Sequence, residues 1–408
     1  MTVSRIVIIN DASRALGGAT GLAMLSAREF RRAGHDVTYV CGDDGDAGDL
    51  IAAGVRVHAA GRGKLLARGR LDAATRGIHD GAMRDMLARL IASDDTPGTI
   101  YHVHGWAQIL SPAIFTALAP VAARCFIHAH DMFLACPNGV YMDYRRNRVC
   151  NRTPLTAACL TTHCDKRSYL HKGWRVARQI ALRRCLNRNL PWAGILAIHP
   201  AMVPRLARAG YPEALFEVLR NPAAPFTATR IRAEENTGLA YVGRLEPDKG
   251  ALDLARAARR TGQIVTFIGE GSLRGVLERD FPEMPITGWQ DRDAIGALIG
   301  GARALVMPSH HPEPFALVLP EASLSGLPLA VADTALMAQE IESAGLGVAF
   351  DVFDPASFDR ALTVLRDLPG ARLREMSQRG HAGDAGLAMS VEGWVTALLT
   401  LYESALSS

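Results

Sequence analysis

The sequence predicts an α/β protein with two doubly wound parallel sheets, each covered by helices as in a Rossmann-like domain. Short apolar runs alternate with amphipathic segments almost from end to end, which is typical of buried parallel strands joined by crossover helices. The chain has 408 residues, too many for one comfortable hydrophobic core and suited to two domains of about 200 residues. Closely spaced prolines at residues 221–225 interrupt both helix and strand, so this segment is the expected connector.

The predicted elements form two series, one on each side of this connector. In the first series we expect strands at residues 6–9, 37–40, 100–103, 124–129 and 194–198. The clearest helices of this series are expected at residues 20–32, 71–90 and 172–190. The second series begins near Val218, with strands expected at residues 239–242, 264–268, 304–307, 329–332 and 347–350. Apolar residues at helical spacing predict a final helix over residues 391–402.

Composition and charge exclude several classes of protein. The chain is 49% hydrophobic and 21% charged, which is ordinary for a globular α/β protein. Its net charge of +4 is too small to indicate a nucleic-acid partner, and no base-reading motif occurs. No apolar run reaches the ~18 residues that span a bilayer, and the N-terminus lacks a signal-peptide pattern. A cytoplasmic enzyme is therefore expected.

Two glutamates eight positions apart follow one of the predicted strands. This spacing predicts Glu313 at the entrance of a helix, with Pro314 in its first turn, and Glu321 about two turns further along. At about 1.5 Å per residue, the two carboxylates lie roughly 12 Å apart along the axis, a span that suits a sugar nucleotide. The backbone N–H groups of Ala316 and Leu317 would be free to bind a phosphate. An ordinary helix with two surface glutamates would give the same spacing.

A loop with two cations follows the strand expected at residues 239–242. Arg244 and Lys249 lie five positions apart, between Gly243 and Gly250, where the loop opens a helix. Two cations placed in this way can neutralise a diphosphate leaving group without a metal ion. A solvated basic loop is the alternative that the spacing leaves open.

Both segments resemble the signatures of one enzyme family. Residues 312–322 (PEPFALVLPEA) are similar to the E-x7-E signature of family 4 retaining glycosyltransferases. Residues 241–250 (YVGRLEPDKG) are similar to the G-R-L-x-x-x-K-G loop of the same family. The resemblance implies the GT-B fold, in which two Rossmann-like domains face a central cleft. It also implies a nucleotide-sugar donor, no cofactor required for catalysis, and transfer with retention of anomeric configuration.

The resemblance assigns roles to the matching residues. Arg244 and Lys249 correspond to the residues that bind the diphosphate in this family. Glu313 corresponds to the glutamate that contacts the donor sugar and is debated as a stabiliser of the transition state. Glu321 corresponds to the glutamate that is bonded to the ribose hydroxyls. Ala316 stands where the family often has glycine, which slightly weakens the inferred backbone contact to phosphate.

The same resemblance gives the domain boundaries. The first domain, on the acceptor side, is expected to comprise residues 1–217 plus 388–408, because the last helix of GT-B enzymes crosses back to the first domain. The second domain, residues 218–387, is expected to bind the nucleotide sugar. Residues 134–170 form a cysteine-containing insert that resembles a subset of bacterial enzymes building surface polysaccharides. This resemblance implies a glycan or lipid-linked glycan as acceptor.

A pair of glycines gives a further candidate in the first domain. Gly17 and Gly18 link the first strand to its helix, and paired glycines let a ligand approach the backbone closely. The family has a similar pair at the donor phosphate and acceptor edge. A plain strand-to-helix turn is the alternative.

Four histidines end two neighbouring strands of the first domain. His130 lies at the carboxyl edge of its strand, where open α/β sheets bind ligands. His130-Asp131 resembles the H-D pair of the family, in which the histidine faces the donor sugar, and we expect His130 to act as a hydrogen-bonding group. His104 is a weaker candidate, and His102 and His128 are expected on the other side with structural roles.

A glycine-rich loop supports a function of a different class. Gly269, Gly271 and Gly275 read G-x-G-x-x-x-G, one residue too long for the dinucleotide fingerprint. An NAD(P)-dependent oxidoreductase would bind its cofactor here and would have no use for Glu313. The resemblance instead implies that Gly269 and Gly271 lie beside the nucleotide, as does Trp289, which could stack on a base or pack in the core. A third reading is a sugar-nucleotide-binding protein without catalytic activity.

Four of the seven cysteines fall within 29 residues of the insert, namely Cys136, Cys150, Cys159 and Cys164. A cytoplasmic chain argues against disulfides. Four thiolates could hold a structural zinc ion, with His163 as a substitute ligand. The spacings of 14, 9 and 5 residues are not those of a zinc finger, so scattered buried or free thiols are the alternative.

A run of basic residues follows the insert, over residues 166–188. Such a run is usually the solvated face of a helix. It could also hold the protein against anionic lipid head groups, peripheral to the inner membrane, if the acceptor is lipid-linked. The identities of the donor base, the donor sugar and the acceptor depend on a pocket whose shape is set by loops.

Overall fold

The computed structural model describes residues 2–15, 17–67 and 69–407. The chain divides into two compact units. The first unit comprises Met1–Arg145, Asn151–Arg220 and Glu392–Ser408, and the second comprises Arg146–Cys150 and Asn221–Val391.

The first unit is built on a parallel sheet. The strands of this half of the chain are β1 (Arg5–Asn10), β2 (Asp36–Cys41), β3 (Arg56–Ala59), β4 (Thr99–Val103), β5 (Cys125–Ala129), β6 (Met142–Asp143), β7 (Arg148–Val149), β8 (Gly194–Ala197) and β9 (Phe216–Val218). The sheet order is β3-β2-β1-β4-β5-β8-β9. β1 lies between β2 and β4, with Arg5 opposite Asp36 on one side and Thr99 on the other. This order is that of a doubly wound Rossmann-like sheet.

Helices connect these strands. They are α1 (Gly18–Arg32), α2 (Gly48–Ala52), α3 (Arg70–Arg76), α4 (Gly81–Asp94), α5 (Ile114–Leu118), α6 (Ala157–Leu160), α7 (Tyr169–Cys185) and α8 (Val203–Ala207). Short 3₁₀ segments lie at Leu65–Ala67, Ala119–Arg124, Pro200–Met202 and Glu213–Leu215.

The structure corrects two predicted helices of this unit. The helix expected at residues 71–90 is interrupted between α3 and α4. Gly77 packs against Trp174, where a Cβ would lie 2.6 Å from the ring, and Asp80 caps α4 by accepting from the Ala82 N–H. The helix expected at residues 172–190 starts three residues earlier, because Ser168 caps it. It ends at Cys185.

The second unit repeats the architecture. Its strands are β10 (Gly238–Val242), β11 (Val265–Ile268), β12 (Ile286–Gly288), β13 (Ala302–Met307), β14 (Leu329–Ala332) and β15 (Gly347–Phe350), in the sheet order β12-β11-β10-β13-β14-β15. Its helices are α9 (Ala251–Arg260), α10 (Arg274–Asp280), α11 (Arg292–Ile299), α12 (Val318–Leu324), α13 (Ala338–Ser343), α14 (Pro355–Asp367) and α15 (Gly370–Ala382), with 3₁₀ segments at Ala233–Glu235 and Pro247–Lys249. All neighbouring strands pair in parallel.

The last helix, α16 (Val391–Ser407), packs within the first unit. Trp394 and Tyr402 are fully buried there. The Tyr402 hydroxyl lies 2.5 Å from Nδ1 of His102, and its ring packs against Phe30 and Phe126. These contacts fix the helix against β4 and β5.

The predicted α/β architecture of two Rossmann-like sheets is confirmed. The strands expected at residues 329–332 and 347–350 have the observed bounds of β14 and β15, and the other expected strands differ from the observed ones by a residue or two. Several strands of two to four residues are absent from the expected series, among them β3, β6 and β7. The residues of β3 are mostly exposed, so the apolar run that marks a buried strand is missing there. No helix among residues 2–15, 17–67 and 69–407 is long and apolar enough to cross a membrane.

The basic run over residues 166–188 does not form a solvated stripe. Lys172 and Arg178 are buried, and Arg178 donates to the carbonyl oxygen of Gly77 at 2.7 Å while its guanidinium lies over the Trp106 ring. Arg175, Arg183 and Arg188 are half-buried and donate to backbone carbonyl oxygens. Lys166, Arg167 and Arg184 remain exposed. Membrane contact through this segment stays a prediction, and most of its charge faces inward.

Candidate functional site

The predicted motifs of the second unit lie at the carboxyl edge of its sheet. β10 and β13 are neighbours at the point where the strand order reverses, and such switch points are where doubly wound sheets bind ligands. Arg244 and Lys249 follow β10, and Glu313 follows β13. The fold therefore brings the cationic loop and the first glutamate together.

Close backbone packing joins these two loops. Gly250 has φ +73°, and a Cβ there would overlap the carbonyl oxygen of Pro308. The backbone N–H of His310 donates to the carbonyl oxygen of Asp248 at 3.1 Å. A side chain at residue 250 would separate the loops, so glycine is required both by its backbone conformation and by the contact.

Glu313 is the centre of a polar cluster. Its Oε1 pairs with the Lys249 ammonium, accepts from the Ser309 hydroxyl at 3.0 Å and lies 3.3 Å from Nε2 of His311. Burial acts to raise the pKa of Glu313, but Lys249, His311 and Ser309 outweigh it and hold the pKa below its ordinary value. Burial lowers the pKa of His311. The structure therefore presents an ionised carboxylate next to an ammonium.

The prediction that a helix begins at Glu313 is wrong. α12 begins at Val318, and residues 312–316 are irregular. Pro314 therefore does not lie in a helical turn, and the estimate of two helical turns between the carboxylates does not apply. Phe315 in this irregular segment is buried, with 8% of its surface exposed. Within the described ranges, the backbone N–H groups of Ala316 and Leu317 have no hydrogen-bond partner, as the sequence predicts for phosphate donors.

Glu321 lies on α12 and is oriented by Arg292. The guanidinium of Arg292 donates to Oε1 of Glu321 at 2.6 Å and to the carbonyl oxygen of Pro225 at 3.1 Å. It also lies over the Phe226 ring, 4.9 Å from its centroid. Burial raises the pKa of Glu321, and Arg292 opposes this shift. Arg292 could not be identified from the sequence, because its contacts come from segments far apart in the chain.

Two exposed side chains complete this edge of the sheet. Arg244 is exposed, and in the part of the chain that the structure describes its side chain makes no ion pair. Its charge lowers the pKa of the buried His311, so it lies near the Glu313 cluster. Trp289 directly follows β12 and is 77% exposed, which rules out the core-packing interpretation. An exposed indole beside a ligand edge suits stacking on a planar group.

The glycines after β11 are explained by packing between loops. A Cβ on Gly269 would overlap the carbonyl oxygen of Gly243, and one on Gly271 would overlap that of Leu245. A Cβ on Gly275 would meet nothing within 4 Å. In the dinucleotide fingerprint the last glycine is needed for close packing of helix on strand, so this loop lacks the steric reason for that motif.

In the first unit, Gly17 and Gly18 lie at the corresponding switch point between β1 and β4. Gly17 is the residue before α1, with extended backbone, and both glycines are exposed. A Cβ on Gly17 would meet nothing within 4 Å. The fold therefore leaves this backbone open to a ligand without requiring glycine for packing.

The four histidines form one stack, so the prediction that His102 and His128 point to the other side is wrong. Side chains two apart on a strand share a face, so His102 lies on the same side as His104, and His128 on the same side as His130. Nδ1 of His104 lies 2.9 Å from Nε2 of His130, and Nδ1 of His128 lies 3.2 Å from Nε2 of His102. Ligand atoms of His102, His104 and His128 lie within 4.8 Å of one another. Hydrogen bonds already join several of these nitrogens to one another or to Tyr402, so the stack is a hydrogen-bonded cluster.

At the end of this stack, the pKa values of His130 and Asp131 are shifted from their ordinary values. Burial lowers the pKa of His130 to about 3, so its imidazole is neutral at physiological pH. The adjacent Asp131 has its pKa raised to about 6 by burial, although its carboxylate accepts from the Phe133 N–H at 2.8 Å. A neutral His130 fits the predicted hydrogen-bonding role.

The predicted zinc site does not fit the geometry. Among the described residues, no three of Cys136, Cys150, Cys159 and Cys164 bring their sulfur atoms within 4.8 Å of one another. Instead the ammonium of Lys172 lies 3.0 Å from Sγ of Cys164 and 4.0 Å from Sγ of Cys159. The two nearest thiols of the predicted set therefore face an ammonium from the chain itself.

Comparisons with known proteins agree with this architecture. Residues 228–381 match the family model described as "Glycosyl transferases group 1". A glycogen synthase of Mycobacterium tuberculosis is 30% identical over 268 residues, which cover 61% of this chain and 61% of the relative. The match therefore spans less than two thirds of that relative.

Solved structures match over nearly the whole chain. Alr3699/HepE of Anabaena, solved in complex with UDP and glucose, has a TM-score of 0.67 and 14% identity, covering 98% of this chain and 100% of HepE. Sucrose-phosphate synthase of Thermosynechococcus elongatus has a TM-score of 0.70 and 14% identity, covering 99% of each chain. At these identities the likeness shows the fold, which is the GT-B fold.

Proposed function

We propose that this protein is a retaining glycosyltransferase that moves a sugar from a nucleotide-sugar donor to a glycan or lipid-linked glycan acceptor. The observation that carries the proposal is the cluster of Glu313, Lys249 and nearby Arg244 at the switch point of the second sheet. The match of residues 228–381 to group 1 glycosyl transferases supports it. Bacterial polysaccharide biosynthesis is the proposed context, from the resemblance of the insert.

The proposed roles follow from charge and position. Arg244 and Lys249 neutralise the diphosphate, aided by the free N–H groups of Ala316 and Leu317. Glu313, held ionised, stabilises positive charge that develops on the sugar in the transition state. Glu321, oriented by Arg292, accepts hydrogen bonds from the ribose. No cofactor or metal ion is needed in this scheme, because the chain supplies the cations.

The transfer itself exchanges one bond for another. The bond from the anomeric carbon to the diphosphate oxygen breaks, and a bond from that carbon to the acceptor oxygen forms. The acceptor proton passes to the leaving diphosphate, so the charges balance. We assign acceptor binding to the first domain, residues 1–217 plus 388–408, with Gly17, Gly18 and His130 in the site, and donor binding to residues 218–387.

Gly269 and Gly271 are assigned to the nucleotide region because they hold the loop after β11 against the Arg244 loop. Trp289 is the proposed stacking partner of the base. An NAD(P)-dependent oxidoreductase is disfavoured, since Gly275 has no packing role. The remaining alternative is a protein that binds a sugar nucleotide without catalysing transfer. The experiment that follows distinguishes it from an enzyme.

The test is Glu313→Gln, which keeps the shape of the side chain and removes its charge. Release of nucleoside diphosphate should fall by about 10²–10³-fold, as when a transition-state partner is removed. Affinity for the donor, measured by calorimetry with UDP-, GDP- and dTDP-sugars and with NAD as a negative ligand, should change only a few-fold. Glu375→Gln, at an exposed glutamate of α15, is the matched control and should change neither quantity. Unchanged turnover in Glu313→Gln, or tight binding of NAD alone, would refute the proposal.

A further inference from the structure

The insert of the first unit contains a contact that the proposed function does not use. Lys172 is only 2% exposed, and its ammonium donates to Sγ of Cys164 at 3.0 Å. Its other hydrogen bonds go to the carbonyl oxygens of Cys159 at 2.8 Å and Thr162 at 3.0 Å. An ammonium has three N–H donors, so these partners hold Nζ against the sulfur.

The surroundings of Lys172 are unusual for a buried ammonium. Buried charges are normally paired with an opposite charge, yet among the described residues no carboxylate forms an ion pair with Lys172. The groups whose charges act on it are Cys164, Cys159 and Cys136. The Lys172 ammonium on α7 therefore faces sulfur atoms, and the nearest thiol, that of Cys164, lies in the loop before this helix.

We propose that hydrogen peroxide joins Cys164 and Lys172 covalently, with one oxygen atom between Sγ and Nζ. Thiols that react with peroxide form a sulfenic acid, which then condenses with a nearby nucleophile. At 3.0 Å the nitrogen and sulfur are already close enough for a single bridging atom. Cys164 is only 7% exposed, so the oxidant has to be as small as hydrogen peroxide.

Two equivalents of peroxide balance the reaction. In the first step the sulfur of Cys164 takes one peroxide oxygen, the O–O bond breaks, and water leaves with the thiol proton. In the second step the amine, after its ammonium proton has passed to solvent, takes an oxygen from a second peroxide and releases water. The resulting N–OH oxygen then displaces the sulfenic hydroxyl from sulfur, and a third water leaves. Sulfur and nitrogen are each oxidised by two electrons. Of the four peroxide oxygen atoms, one stays in the bridge and three leave as water.

The cross-link would tie α7 to the segment that follows α6. Lys172 lies on α7, and Cys164 lies in the loop before it. Closing this loop restricts the unfolded chain more than the folded one, as a disulfide does. The expected consequence is a modification that stiffens the insert and is reversed by thiol reductants.

The experiment is peptide mass spectrometry on the full-length protein before and after treatment with hydrogen peroxide. Trypsin should release residues 153–166 joined to residues 168–175, uncut at Lys172, with the mass of both peptides plus one oxygen and minus two hydrogens. Fragmentation should place the link on Cys164 rather than Cys159. Dithiothreitol should restore the two separate peptides, and the melting temperature should rise with peroxide and return with the reductant.

Two variants provide the controls. Cys159→Ala should keep the cross-linked peptide, and Cys164→Ala should lose it. Because the wild-type protein carries the main measurement, the proposal does not depend on a buried lysine variant that folds. Peroxide products limited to a sulfinic acid on Cys164, a Cys159–Cys164 disulfide, a direct S–N link without the oxygen, or unmodified chain would each overturn it.

Discussion

At the scale of the residue, the environment of each carboxylate decides its chemistry. Glu313 and Asp131 are both shielded from solvent, and burial acts to raise the pKa of each carboxyl group. Only at Asp131 is the net shift of the pKa upward. Glu313 has Lys249, His311 and Ser309 around it, which hold its pKa below the ordinary value. Among the described residues, the Asp131 carboxylate accepts a hydrogen bond from the Phe133 N–H, and burial raises its pKa to about 6. Glu313 is thus held ionised, whereas Asp131 keeps its proton up to about pH 6.

The raised pKa of Asp131 predicts a pH-dependent gain in stability for Asp131→Asn. Between the ordinary pKa of about 4 and the folded value of about 6, the folded protein binds more protons than the unfolded chain. The stability of the folded protein therefore falls as the pH rises through this window. Above the window, the full free-energy cost of ionising the buried Asp131 carboxyl group is present. The substitution removes a cost on the order of 2 kcal/mol and keeps an oxygen to accept from Phe133.

Urea unfolding at pH 7.5 and at pH 4 checks this prediction. The gain of Asp131→Asn should be clear at pH 7.5 and much smaller at pH 4. Asp384→Asn, at an exposed position, serves as the control and should give no gain at either pH. An equal gain of Asp131→Asn at both values would contradict the assigned cause.

At the scale of the element, the loops after β10, β11 and β13 are held by backbone contacts that exclude side chains. Gly250 contacts the carbonyl oxygen of Pro308, and Gly269 contacts that of Gly243. These backbone contacts help to bring Arg244, Lys249 and Glu313 to one edge of the sheet, together with the long-range ion pair of Lys249 and Glu313. The geometry of the site therefore depends on glycines as much as on charged residues.

Gly250→Ala is expected to damage both stability and donor binding. A Cβ would overlap the Pro308 oxygen, and the left-handed backbone at φ +73° disfavours alanine. The expected loss of stability is about 1–3 kcal/mol, with weaker donor affinity because Lys249 moves relative to Glu313. Gly275→Ala, in α10 with open space around it, should be neutral or stabilising by up to about 1 kcal/mol. Denaturant unfolding and donor titration measure both, and similar losses in the two variants would refute the packing argument.

At the scale of the whole molecule, the chain returns to its first unit at its end. α16 contributes Trp394 and Tyr402 to the core of that unit, and Tyr402 bonds the histidine stack through His102. The first unit is therefore completed by residues that follow the entire second unit in the sequence. Local changes in α16 should be felt in β4 and β5.

Trp394→Ala tests this dependence. Removing a fully buried tryptophan costs about 3–5 kcal/mol, and the loss should fall on the unit that contains it. Hydrogen exchange should show faster exchange of the amides of β4 and β5, while those of β11 keep their protection. Thr400→Ala, on the exposed side of α16, should leave both unchanged. Equal loss of protection in β11 would contradict the assignment.

Much of the fold and part of the site could be predicted from sequence. Buried parallel strands such as β14 and β15 are continuous apolar runs, so their bounds could be read directly. The family resemblance of two motifs implied that Lys249 and Glu313 belong to one donor site, and the structure places them after neighbouring strands. Arg292, the histidine stack and the Lys172–Cys164 contact could not be found in this way, because each joins residues whose proximity is set by packing.

The sequence by itself determined two α/β sheets, their connector and the charged groups at the edge of the second sheet, because periodicity and strand-end position are local properties of the chain. The tertiary structure decided which partners surround those groups. It placed Lys172 against the thiol of Cys164, began the expected helix at Val318 instead of Glu313, and set opposite pKa shifts on two carboxylates. Burial and the approach of distant residues control these outcomes, and neither is encoded in local spacing.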